Sequence, residues 1–219
     1  MKKNGFTLAE VLITLAIIGV VATLTLPALM NNTAEQQAVT AFKKGLNTLT
    51  IAAETNEAID NFNFDSIGAT SDINNSDAGE TPSLYAMLAT RGAVDYQKSG
   101  TQKAYKLGRT GDKTGNFCVY FRDGSLLMFP DTAGTTDAEK KVEDDNLTHG
   151  ISAVFDYNGD KMPNALSNCV GSSNVEAVDD KSGDCSNRAK RVIKDRFAVR
   201  LRGHYAFPNG AAARWAFNK

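Results

Sequence analysis

From Gly5 to Met30 the chain is dominated by apolar residues, and between Phe6 and Glu35 a single residue, Glu10, carries a charge. A helix rises about 1.5 Å per residue and a hydrocarbon layer is roughly 30 Å thick, so the run predicts a membrane-spanning helix over residues 6–29. Beyond it the pattern becomes amphipathic. Val39, Phe42, Leu46, Leu49 and Ala53 recur at helical spacing, whereas Gln36, Lys43, Lys44 and Asn47 fall largely off that face. The helix is therefore expected to continue over residues 30–57 with its apolar stripe against a folded domain. Pro27 removes one helical hydrogen bond and predicts a kink.

Residues 58–219 read as one soluble globular domain. Asn56 to Gly79 is rich in Asp, Asn, Ser and Gly and reads as a loop, with Phe62 and Phe64 placed to tuck under the domain. Thr81-Pro82 predicts the start of a short helix carrying Leu84, Met87 and Leu88 on one side. Residues 98–116 are polar and Gly-rich. The runs NFCVYF and LLMF flank Asp123-Gly124, which predicts a hairpin. ISAVF predicts a third strand, DRFAVRLRGHYAF a fourth, and the chain closes on a tail bearing Trp215 and Phe217. A long helix followed by a small antiparallel sheet is an α+β arrangement.

Glu10 is the anomaly in the apolar run. A charge near the centre of a spanning helix costs roughly 2.5 to 3.5 kcal/mol on insertion scales, so such a group needs a partner. Lys2, Lys3 and Lys43 all lie outside helical reach. A Gly before an aromatic, Glu at the fifth position after that Gly, a basic leader (MKKNG) and an uncharged tail together resemble the processing signal of type IV pilins and of the pseudopilins of type II secretion systems. The resemblance covers residues 1 to about 30. It implies a pilin-like fold, a leader of residues 1–5, cleavage after Gly5 by a prepilin peptidase that also methylates Phe6, and a filament of homologous subunits. It further implies that Glu10 pairs with the terminal amine of a neighbouring subunit, and that Gly19 to Pro27 matches the part of pilin helices that loosens on assembly. An inner-membrane assembly platform and membrane lipids are the other implied partners.

Lys2 and Lys3 place the amino terminus in the cytoplasm and the bulk of the chain outside the bacterial inner membrane. DYNGDKMPN with DRFAV downstream resembles the carboxy-terminal part of pseudopilins and favours a secretion pseudopilin over a pilus pilin serving adhesion, twitching or DNA uptake. An ordinary secretory signal has a shorter apolar centre. A membrane-anchored binding domain that never polymerises is the rival from another class.

Composition adds exclusions. Lys and Arg number 24 against 25 Asp and Glu, a net charge of -1. The downstream charges read as mixed in sign, and no nucleic-acid partner is indicated. His149 and His204 stand far apart, no nucleophile elbow or phosphate loop is present, and the chain reads as no enzyme. Cys118, Cys169 and Cys185 allow one disulfide, and loop closure favours Cys169 with Cys185 over a bond to Cys118. Asp156, Asn158 and Asp160 alternate through a Gly-containing turn, with Asp195 as a further oxygen donor. Such oxygens suit Ca2+, as the resemblance also implies, and the same residue types suit an ordinary turn.

Overall fold

The computed structural model of the 219-residue chain describes residues 5, 7–67, 83–91, 94–95, 100–102, 116–130, 150–171 and 183–219. Its contacts divide it into two units, Met1–Gln37 and Ala38–Lys219.

The first unit is built on the start of helix α1, which spans Leu8–Asp60. Within it, Leu8–Leu26 is long and apolar enough to cross a membrane, and none of this segment is buried. Its hydroxyls are hidden in the helix itself: Thr14 donates to Val11 O at 2.9 Å, Thr23 to Val20 O at 2.9 Å and Thr25 to Val21 O at 3.0 Å. An apolar helix satisfies its backbone internally, and these bonds extend that economy to side chains. The helix is continuous through Pro27, since a proline removes one donor while the turns on either side keep theirs.

The second unit is a helix laid on a sheet. Val39, Phe42, Leu46, Leu49 and Ala53 are all buried, so the amphipathic stripe is a core face. Phe42 stacks on Phe197 with ring centroids 4.4 Å apart. Gly45 meets Phe155, and a Cβ on Gly45 would overlap that ring, so the helix approaches the sheet closely because the side chain is absent. At the end of α1, Asn56 donates from Nδ2 to Met87 O at 3.2 Å, tying on helix α2, Leu84–Arg91. Ser83 caps α2 through a bond from Ala86 N at 3.1 Å. The Thr81-Pro82 start expected for this helix lies outside the described residues.

The sheet has six antiparallel strands in the order β1-β2-β3-β4-β7-β8. They are β1 Gly100–Gln102, β2 Asn116–Tyr120, β3 Leu126–Pro130, β4 Ile151–Asp156, β7 Arg196–Arg202 and β8 Tyr205–Pro208. Asn168–Cys169 (β5) and Arg191–Val192 (β6) form a separate two-stranded ribbon. The β2–β3 hairpin turns at Asp123-Gly124, where Gly124 has φ +90°. Phe117, Val119, Leu127, Phe129, Phe155 and Phe197 face α1, while Cys118, Tyr120, Leu126, Met128 and Val154 form a second buried cluster on the opposite side.

Three features depart from the sequence reading. DRFAVRLRGHYAF is two strands, not one, because Gly203 at φ +55° lets the chain reverse between Arg202 and Tyr205. The aromatic tail is a helix, α3, Gly210–Asn218, which buries Ala212, Ala213 and Ala216. A short strand, β1, stands in the polar stretch 98–116. The β7–β8 hairpin is held to α1 by Ala206 N donating to Thr50 Oγ1 at 3.1 Å and by a 2.9 Å contact between His204 Nδ1 and Glu57 Oε2. Phe62 and Phe64 are buried, and Phe64 N donates to Gly203 O at 2.7 Å.

Candidate functional site

The start of α1 explains where Glu10 finds partners. Thr7 N and Thr7 Oγ1 both donate to Glu10 Oε2, at 2.8 and 2.9 Å. Glu10 N donates back to Thr7 Oγ1 at 3.3 Å, and Val11 N donates to Thr7 O at 3.3 Å. This is a capping box, Thr-x-x-Glu, in which each side chain satisfies a backbone donor of the other residue. Looking for a cation within reach overlooked it, although Thr7-Leu8-Ala9-Glu10 is legible in the sequence. The box engages one carboxylate oxygen. Oε1 accepts no hydrogen bond among the described residues, which leaves half of the carboxylate open to a donor from outside the chain. Gly5, just upstream, is exposed and has open space where a side chain would begin. Phe6 lies outside the described residues.

From this cap the helix presents a continuous apolar surface, with Leu8, Leu12, Ile13, Ile17, Val20 and Leu24 all more than half exposed. A run of this size with nothing against it marks a membrane or protein contact.

The Asp156 turn is a second polar centre. Asp156 Oδ1 accepts from Asn158 N at 3.1 Å and Oδ2 from Arg196 Nε at 2.9 Å. Asp160 Oδ1 accepts from Tyr120 OH at 2.7 Å. Asp195 does not join them as a ligand: its two oxygens accept from Asn164 N at 2.6 Å and Ala165 N at 2.8 Å. Burial pushes the Asp156 carboxyl up to about 6, the nearby Asp195 charge adding to this while Arg196 opposes it. Asn158 Oδ1 is buried without a hydrogen bond, yet a dication here would share the site with the Arg196 guanidinium. These residues do not fit a calcium site as they stand, and the arrangement is that of a turn closed by protein groups. No group of three or more His, Cys, Asp or Glu placed to hold a metal occurs among the described residues.

Cys169 and Cys185 are joined in a disulfide with Cα atoms 5.3 Å apart, pinning the ribbon against Ala212 of α3. Cys118 is a buried free thiol, and burial pushes it up to about 12. A thiol so held is a packing group and no nucleophile.

Comparison with known proteins bears on the helix start alone. The prokaryotic N-terminal methylation motif family matches residues 1–26. No curated protein and no solved structure matches the chain. The chain thus carries the N-terminal motif typical of the type IV pilin and pseudopilin family. That motif gives family-level support for a prepilin-type, N-terminally methylated structural subunit and links it to the peptidase and methylase that process such signals. The apolar helix near the start of the chain, the one span of this kind among the described residues, is consistent with a single-pass membrane anchor.

Proposed function

We propose that the chain is a prepilin-like subunit, cut after Gly5, methylated on Phe6 and polymerised through the first part of α1 as a pseudopilin of a type II secretion-like filament. The reading rests on one observation above all: Leu8–Leu26 is entirely uncovered while the second unit closes its own core. Such a surface is stable only in lipid or against like helices. In lipid the Glu10 cap is a costly group with one oxygen open; in a filament the amine of a neighbouring Phe6 supplies the missing positive donor. A desolvated pair of this kind contributes register as much as net stability. The Cys169–Cys185 bond supports a globular domain on the oxidising side of the membrane, with Lys2 and Lys3 on the cytoplasmic side. Other subunits, the peptidase and methylase, an assembly platform and lipids are the partners of this reading.

A type IV pilus pilin shares the same helix chemistry and is the nearer alternative. A tether that never polymerises is the further one, and Glu10 separates it. Glu10→Ala is expected to leave cleavage largely intact and to reduce incorporation into filaments sharply, read as the ratio of sheared filament to processed membrane protein. Unchanged incorporation would favour the tether.

A further inference from the structure

The mixed charge of the whole chain conceals an uneven distribution. From Asn187 to the carboxy terminus stand Arg188, Lys190, Arg191, Lys194, Arg196, Arg200, Arg202, Arg214 and Lys219, with Asp195 as the single acid, although the net charge of the chain is -1. Part of this excess sits on the β7–β8 hairpin. Leu201 and Ala206 pair across the two strands and belong to the core under α1, so the flanking pairs Arg202 with Tyr205 and Arg200 with Phe207 face the other side of the sheet. The Tyr205 and Phe207 rings meet edge to face at 5.8 Å, and Tyr205 is 45% exposed. Arg202 has no ion pair among the described residues. The result is a patch on the outer face of the sheet in which Arg202 stands across the strands from Tyr205, whose ring meets that of Phe207.

The outer face of α1 carries the converse. Ile51, Glu54 and Ala58 follow one another at i, i+3 and i+7 and are all exposed, Ile51 by 51%. Glu54 also has no ion pair among the described residues. One patch is aromatic and cationic and lies on the sheet; the other is aliphatic and anionic and lies on α1.

We propose that the Arg202, Tyr205 and Phe207 patch of one copy docks on the Ile51, Glu54 and Ala58 face of a second copy, with Arg202 paired to Glu54. Two different patches of one domain make a head-to-tail contact, which repeats into an open array where a self-complementary patch would close as a dimer. The inference deepens the filament reading and rests on it. A contact of this size is weak in solution, but subunits gathered through α1 meet at high effective concentration, and a modest contact repeated at every subunit then sets the register of the globular domains.

The test uses the full chain expressed with a prepilin peptidase and assembly platform. Arg202→Glu and Glu54→Arg are each expected to lower sheared filament by about fivefold or more, and the double charge swap to restore it. As a readout independent of yield, Glu54→Cys with Arg202→Cys is expected to give a disulfide-linked ladder under mild oxidation that neither single variant gives. Filaments at normal yield from both reversals, with no ladder, would overturn the contact and leave the filament reading intact. Failure of the parent chain to form any filament would overturn both. Retention of single-stranded DNA that depends on Arg202, without a ladder, would reassign the patch to a nucleic acid and overturn the contact.

Discussion

Asp156 shows how a single carboxyl can weaken a fold as the solution becomes less acidic. Its carboxyl takes up a proton at about pH 6 in the folded protein, above the ordinary range near 4 for an aspartate in an unfolded chain. Between those values the folded state holds more protons than the unfolded state, so the contribution of Asp156 is fully present below about pH 4 and is lost as pH rises through about 6. The stability difference between the parent chain and Asp156→Asn, from urea unfolding at pH 4 and pH 7, is expected to shift in favour of the variant at the higher pH. A difference that moved the other way would mean that the Arg196 ion pair outweighs burial. The partners of this residue also show where sequence reading stopped. Asp, Asn and Gly at 156–160 serve a turn as well as a metal, and the choice depended on Arg196 and Asp195, which stand far along the chain and which register alone brings near. Glu10 is the converse case, because its partner Thr7 stands three residues away in a pattern with a known capping geometry.

At the scale of elements, α1 changes its environment without a break in the helix. Residues to Leu26 carry apolar side chains all round, and from Ala38 onward the apolar residues gather on one face. This switch was readable because period and charge change together. Gly45 was not readable as special, since nothing local distinguishes a glycine that makes room for Phe155 from one that merely weakens a helix. Gly45→Ala raises helix propensity by roughly 1 kcal/mol, but the added methyl meets an aromatic ring held between helix and sheet, and overpacking of this kind costs about 1 to 3 kcal/mol. The variant is expected to melt below the parent; a higher melting temperature would mean that the Phe155 ring moves aside freely. The hairpins divide in the same way. Asp123-Gly124 is a strong turn signal between two apolar runs, whereas Gly203-His204 lies within a stretch of strand-forming residues, so β7 and β8 read as one strand. The α3 helix hid because its alanines sit among the aromatics of a short tail.

At the scale of the molecule, the chain combines a unit whose Leu8–Leu26 segment is unburied and a unit that carries the hydrophobic core among the described residues. The first has an uncovered apolar surface and a capped acid at its start; the second has a disulfide and no metal-holding cluster among its described residues. This division suits a subunit that is stored in a membrane and completed by its neighbours. The intact mass of the mature protein recovered from a membrane containing a prepilin peptidase tests that account most directly. The account expects the mass of a chain beginning at Phe6 with one added methyl group, in both membrane and sheared fractions. Recovery of the chain with Met1 to Gly5 still attached and Phe6 unmodified, in an active processing background, would contradict it.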